Sequence, residues 1–356
     1  MKTNYFYVLM LLLFFLGSSA QSQTLTAVNA KLDHWGQKPN KKMTKKAYIS
    51  DFQVLVEVYR EDLDYKEKRE FRGKGRGEAT AEAALGLQGV DAQLLQEEVD
   101  KLYAEFVADL KAKGYELVDV DRAAKTDYYK NAERMNGPNV RESANPGYLE
   151  ILPSGASFMV TKREAEGKAN NKDGFLNRFK AVGAAISGPN QLSKDLDDAL
   201  VIDVKLALNF SESGSNWFKS LSGANAQVKT NLMMGTHTVQ APKKKGLRMN
   251  GREEAYTIPT SIEFYQGSGL KKIQSKGYLK KPIYISGVID DTKSSAFDKG
   301  AVTTYTNIGD LYIVKNTYST ISSNAKFAET DGKKMADALY KAGSAFIDEE
   351  LKEFFD

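Results

Sequence analysis

The 356-residue chain carries 50 Lys and Arg against 46 Asp and Glu, a formal net charge of +4, and no cysteine. This excludes disulfide scaffolds, thiolate catalysis, zinc–thiolate sites and a lipid anchor on cysteine, and two histidines, His34 and His237, are too few for a multi-histidine metal centre. A hydrophobic share of 42% with 27% charged residues suits a folded protein with a substantial core.

At the N-terminus Lys2 precedes an apolar run from Tyr5 to Leu16, followed by Gly17, Ser18, Ser19 and Ala20. A positive start, an apolar stretch too short for the roughly 20 residues of a membrane helix, and small residues at the end make residues 1–20 a signal peptide cleaved after Ala20. Its loss takes Lys2 away and leaves a net charge of +3. No later stretch is apolar enough to span a membrane as a helix. The mature protein is therefore expected to be exported, to the periplasm or the extracellular space. The lysine clusters at Lys41–Lys42, Lys45–Lys46, Lys243–Lys245, Lys271–Lys272 and Lys280–Lys281 lack interleaved stacking aromatics, so they read as solvated loop charge and not as a nucleic-acid interface.

Residues 21–45 mix polar residues with isolated Leu25, Val28, Leu32 and Trp35, and read as a tail or loosely docked arm. Ala47 to Val58 is dense in β-branched and aromatic residues and predicts a mostly buried strand. The glycines 73, 75 and 77 mark a turn or bulge; their GKGRG run lacks the Lys-Ser/Thr ending of a P-loop and the spacing of a dinucleotide fingerprint. From Asp91 to Lys113, Leu95, Val99, Leu102, Phe106 and Leu110 recur at three- and four-residue spacing, which predicts a helix capped by Asp91 and closed by Gly114. A short strand, Tyr115 to Val120, follows, then a polar helix over Asp121 to Arg134 that Asn136, Gly137 and Pro138 stop. Gly155 to Val160 predicts a strand, and Thr161 to Asp173 a charged loop. The serines of Ser154 to Ser157 read as turn residues without the G-x-S-x-G elbow of a hydrolase.

A helix from Phe175 to Ile186 and a turn over Leu192 to Asp198 lead into Leu200 to Phe210. There Ile202, Val204, Leu206, Leu208 and Phe210 alternate with Val201, Asp203, Lys205, Ala207 and Asn209, the pattern of a strand with one wet face. A Gly/Ser-rich connection, Ser211 to Asn225, carries Trp217 and Phe218. Further strands are expected at Ala226 to Val239, Ala255 to Tyr265, Pro282 to Ile289 and Leu311 to Lys315. A closing helix from Thr330 to Phe354 has an apolar stripe of Met335, Leu339, Ala342, Phe346, Ile347, Leu351 and Phe354, interrupted in propensity by Gly343. No composition break divides the body, so residues 46–356 are expected to form one enlarged α/β domain, a mixed sheet with flanking helices and β-rich insertions.

The strand with Ser50, Asp51 and Phe52, the run AEFVADLKAKGYELVD from Ala104 to Asp119, and DLDDALVIDVKL from Asp195 to Leu206 together resemble the α/β domain shared by the curli-export pore protein and the N-terminal domain of the Tol translocation protein. The chain departs from the curli-export family in having no cysteine to carry lipid. The resemblance implies an envelope assembly or transport role without chemistry, and no functional residue carries over.

No catalytic, metal or cofactor constellation stands out. The acidic clusters Asp195, Asp197, Asp198 and Asp290, Asp291 adjoin strand ends, where Asp commonly caps or turns the chain. The expected function is that of an exported, non-enzymatic envelope protein working by protein or surface contact, its candidate binding residues Trp217 and Phe218 at an exposed tip, its partner an envelope protein or a membrane surface. The alternative is a secreted hydrolase using paired carboxylates.

Overall fold

The computed structural model describes residues 23–37, 44–66, 70–71, 74–75, 79–143, 145, 147–161, 188–213, 225–245, 248–297, 305–306, 321–322 and 325–356. In chain order the first elements are β1 (Thr24–Leu25), β2 (Ala30–Gly36), β3 (Lys46–Glu57), β4 (Tyr59–Lys66), the short β5 (Glu70–Phe71) and β6 (Lys74–Gly75), and β7 (Ala79–Gln88). Helix α1 (Ala92–Ala112), β8 (Glu116–Leu117), α2 (Val120–Ala124), β9 (Ala132–Asn136), β10 (Asn139–Glu142), β11 (Tyr148–Leu152) and β12 (Ser157–Thr161) follow. Then come α3 (Pro189–Asp195), β13 (Leu200–Ser213), β14 (Asn225–Met234), β15 (His237–Lys245), β16 (Arg248–Ile258), β17 (Ser261–Gln266), β18 (Ile273–Leu279), β19 (Ile283–Ser286) and β20 (Lys293–Phe297). The short β21 (Tyr305–Thr306) and β22 (Ile321–Ser322), then β23 (Lys326–Glu329) and α4 (Gly332–Phe355), complete the chain. The result is mostly sheet, one large mixed sheet with a few helices.

The centre of that sheet is the parallel pair β3 and β13, in register from Leu200 beside Ala47 to Leu208 beside Val56. Outward from β3 lie β8, β11 and β10. The other edge of β13 is shared: Val201 to Lys205 pair with β17, and Leu208 to Ser213 with β14. Beyond them β18 and β19 run on from one another, and β2 and β1 form the last strand, paired antiparallel with residues 273–286. Residues 24–25 and 30–36 of the stretch expected as a tail or loosely docked arm are thus an integral edge of the sheet. Its isolated apolar residues have a use there, since Leu32 is buried beneath α4 while its neighbours face the other way.

Helices α1 and α4 cover one face. Asp91 caps α1 by accepting from the Gln93 and Leu94 amides at 2.9 and 3.1 Å, Gly114 leaves it at φ +85°, and the five apolar residues of its stripe are all buried. Asp331 caps α4 in the same way through the Lys333 and Lys334 amides. Gly343 is what lets the two helices and the sheet meet, for a Cβ there would lie 2.9 Å from Leu102 Cδ1 and 3.2 Å from Leu206 Cδ1. Near its end α4 stacks Phe354 on Phe264 with ring centroids 4.0 Å apart. One turn earlier it buries Glu350 completely, with no hydrogen-bond partner for either carboxyl oxygen. That carboxyl sits in a notch made by Gly277 of β18, where a Cβ would come within 2.1 Å of Oε2.

The opposite face is covered too, which corrects the expectation of a wet side on β13. Val201 packs with Tyr48, Tyr128, Leu192 and Leu196 under α2, α3 and a 3-10 turn at Asp127–Tyr129, and Ala207 packs with Leu55, Tyr148 and Ile258. Other expectations shift for local reasons. The polar helix over Asp121 to Arg134 is only α2 and the 3-10 turn before β9, because Tyr128 and Tyr129 turn inward and residues 132–136 pair with β12. The expected strand at Tyr115 to Val120 shrinks to β8. Ala226 to Val239 breaks at Gly235, whose backbone is tied to Ala207 and to the Asn209 side chain. Ala255 to Tyr265 breaks at Pro259, which has no N–H, and Thr260 Oγ1 accepts from Ala207 N instead at 3.0 Å. The expected helix at Phe175 to Ile186 and strand at Leu311 to Lys315 lie outside the described residues.

A second sheet, β4–β7–β23, packs on β14 and β20. The chain crosses from the first sheet into the second at Val58, whose N–H donates to Gly147 and whose carbonyl accepts from Leu87.

Candidate functional site

Trp217 and Phe218 lie outside the described residues. The two acidic clusters lie on turns and at element ends, and the partners of Asp195 and Asp197 are side chains of the protein itself. Asp195 accepts from Gln191 one turn earlier in α3, and Asp197 and Asp198 both turn at φ 58°. Hydrogen bonds from Arg122 at 2.5 Å and Lys46 at 2.9 Å hold the Asp197 carboxyl down at about 2. Asp290 and Asp291 are exposed, with the Asp290 amide tied to Glu329. Ser154 donates its amide to Asp100 in the turn before β12, whereas Ser157, also expected in a turn, is the first residue of that strand and donates its hydroxyl to Asn136, its register partner on β9. Lys74 and Gly75 of the glycine-rich run pair with residues 70–71 in a hairpin.

His237 is part of a buried polar knot where β3 passes into β4. The Arg60 guanidinium stands 3.0 Å from Glu57 Oε1, and its Nη2 lies 2.6 Å from His237 Nε2. Glu57 Oε2 accepts from the Phe210 amide and from both the amide and hydroxyl of Ser211, at 3.0 to 3.1 Å. Tyr148 closes the group by donating to Asn209 at 2.6 Å. Burial pushes the Glu57 carboxyl up against the pull of Arg60, and burial together with the Arg60 charge holds the His237 imidazole down at about 3, so it is neutral. The partners are internal to the knot, which makes it a clamp between the two sheets and the β15–β16 hairpin.

The second face of the main sheet carries a different arrangement. Strand register sets Asp33 of β2, Lys276 of β18, Glu263 of β17, Asp203 of β13 and Asp51 of β3 in one row. Its inner three carboxylates are buried, at 2% exposed for Asp51, 3% for Asp203 and 4% for Glu263. Glu263 takes Lys276 Nζ at 2.7 Å and the Tyr265 hydroxyl, whose ionisation burial and the neighbouring carboxylate suppress. Lys205 stands 3.8 Å from Asp203 in the next row. At these burials the carboxylates are closed to a substrate.

Toward β2 the same face opens to solvent. Lys31 Nζ is 2.6 Å from Asp33, and Tyr278 donates its hydroxyl to Asp33 Oδ2 at 3.1 Å. Strand alternation places Trp35 beside this cluster, and it is 49% exposed. Leu270, 97% exposed, sits on the 3-10 turn Gly269–Lys271 at the same end of the edge, where Gln37 bonds back to Lys272. The Lys31 hydrogen bond holds the Asp33 carboxyl below the usual range, and Asp33 in turn raises Lys31, so both stay charged near neutral pH. An exposed indole and leucine beside fixed charges can bind a surface; they cannot perform acid–base chemistry. Sequence reasoning passed over Trp35 as part of an arm. The alternation of Lys31, Asp33 and Trp35 with Ala30, Leu32 and His34 is the signal that marks it as strand.

Among the described residues no group of three or more His, Asp or Glu could hold a metal ion, and no helix is long and apolar enough to cross a membrane. Compared with protein-family models, curated proteins and solved structures, the chain has no match.

Proposed function

We propose that the chain is an exported, non-enzymatic protein of the cell envelope, periplasmic or secreted, that binds an envelope protein or membrane surface through the outer end of its main sheet. The observation that carries this reading is the exposure of Trp35 and Leu270 together beside the charged cluster of Lys31, Asp33 and Lys276. Burying those two side chains in a partner would gain about 1.5 to 3 kcal/mol each, an ordinary anchor for a surface contact. The pattern of residues 1–20 supports export. The three stretches that resemble the curli-export and Tol group fall on β3, on α1 with β8, and on α3 with β13, elements that pair or pack together, which suits an envelope role. A hydrolase using paired carboxylates gains less support, because Asp195 and Asp197 are engaged by side chains of the protein itself and the aligned carboxylates are buried.

Co-sedimentation of the purified protein with isolated envelope tests the reading. Wild-type protein is expected to bind, and the variant Trp35→Ala, Leu270→Ser to bind about tenfold or more weakly at unchanged stability. Absence of binding by the wild type, or undiminished binding by the variant, refutes the site. Full-length polypeptide recovered uncut from the cytosol refutes export.

A further inference from the structure

Among the described residues β2 is the outermost strand at its end of the main sheet, and its side chains favour one register with a second copy of the chain over the neighbouring ones. In antiparallel pairing, residues whose backbone groups point to the partner alternate with residues whose groups point away. The odd-numbered residues of β2 face β18, as the bonds from Gln37 N to Lys272 at 3.0 Å and from Lys280 N to Asn29 at 2.8 Å fix the phase of the ladder. The outward N–H and C=O groups belong to Ala30, Leu32, His34 and Gly36, and among the described residues no strand pairs with them. Such an edge is a template for another strand.

A two-fold axis normal to the sheet makes β2 its own antiparallel partner. Centred on Lys31, it sets two ammonium groups face to face; centred on Asp33, it opposes two carboxylates. Like charges directly opposite one another destabilise a pair. Centred on His34, it places Asp33 against Trp35 and Lys31 against Gln37, with no charge matched. Centred on Leu32, it hydrogen-bonds Leu32 to its counterpart and Ala30 to His34, and sets Lys31 against Asp33 twice. The Lys31 and Asp33 side chains are 46% and 31% exposed, so neither need be unburied to meet its mate.

We propose that two copies of the chain join through β2 in the register centred on Leu32, continuing the main sheet across the dimer. The pairing does not depend on surface binding. Where both hold, the two Trp35 clusters lie on the same side of one continuous sheet, and a surface is met bivalently.

Analytical ultracentrifugation of the purified protein tests this. Wild type should form a concentration-dependent dimer. Lys31→Glu or Asp33→Lys should raise its dissociation constant about tenfold or more, since each turns two attractions into repulsions. The double exchange Lys31→Asp with Asp33→Lys should restore it. Because the chain has no cysteine, Lys31→Cys and Asp33→Cys proteins mixed under mild oxidation report the register: residues 31 and 33 of opposite copies would stand at about 4.5 Å between Cα atoms, within disulfide range. Crosslinking should appear in the mixture and not in either protein alone. A monomer at every concentration, single reversals without effect, or crosslinks equal in the unmixed proteins would overturn the proposal.

Discussion

Replacing Glu350 should remove a large pH dependence from the stability of this protein. The carboxyl is fully buried between α4 and the Gly277 notch, without a hydrogen-bond partner. Burial, reinforced by the charge of Glu353 and more weakly of Glu349, pushes it from 4.5 up to about 8; the amides of Lys31 and Tyr278 pull the other way without completing a bond. Below 4.5 both the folded and the unfolded chain hold the proton, and ionisation adds no cost. Between 4.5 and about 8 the folded chain keeps a proton that the unfolded chain has released, so stability falls as pH rises, by about 1.4 kcal/mol per pH unit. Above about 8 the loss is complete and amounts to roughly 5 kcal/mol, comparable with the whole stability of many domains. Urea unfolding of wild type, Glu350→Gln and Glu350→Met from about pH 5 to about pH 9 measures it. The variants should match the wild type near the acid end and exceed it by several kcal/mol at the alkaline end. A difference that stays constant with pH would refute the argument, since it would mean that Glu350 ionises in the folded protein as readily as in the unfolded one.

Three further outcomes are expected. Arg60→Met leaves Glu57 buried without its counter-ion and should cost about 3 to 5 kcal/mol in thermal unfolding, most of it recovered in the double variant Glu57→Leu, Arg60→Met. Gly343→Val drives a branched side chain into Leu102 and Leu206 and should destabilise by about 1 to 3 kcal/mol by the same measurement. Asp331→Ala removes the acceptor for two amides at the start of α4 and should cost about 1 kcal/mol, read as a lower urea midpoint at unchanged slope.

The elements legible from sequence were those whose partners lie close along the chain. The stripe and caps of α1, from Asp91 to Gly114, are local facts, and so are the stripe and Asp331 cap of α4. The apolar density of β3 and β13 marks them as strands. What β13 packs against is not local: Asp203 and Asn209 read as wet because nothing near them in sequence reveals the layer formed by Tyr128, Leu192, Tyr148 and Ile258. The alternation from Ala30 to Trp35 marks β2 as a strand but not its place at the edge, since Leu32 finds its register partner at Gly277. The row of Asp51, Asp203 and Glu263 exists only through strand register, a tertiary property, and the exposure of Trp35 follows from its place on an edge no pattern within residues 21–45 could announce. The breaks at Gly235 and Pro259 were visible as residues but not as boundaries, because what fixes them is Ala207 and Asn209 on β13.

The last strand of the main sheet is the first described segment of the chain, and what it binds comes some 240 positions later. A polypeptide emerging N-terminus first must hold residues 24–36 in waiting until 273–286 arrive, and the helix that shields Leu32 and Phe264 comes later still along the chain. Until that moment, among the described residues, the apolar side of β3 and β13 has α1 as its roof. Closure of the main sheet thus waits on segments far along the chain, an interval in which a holding chaperone would have most to protect.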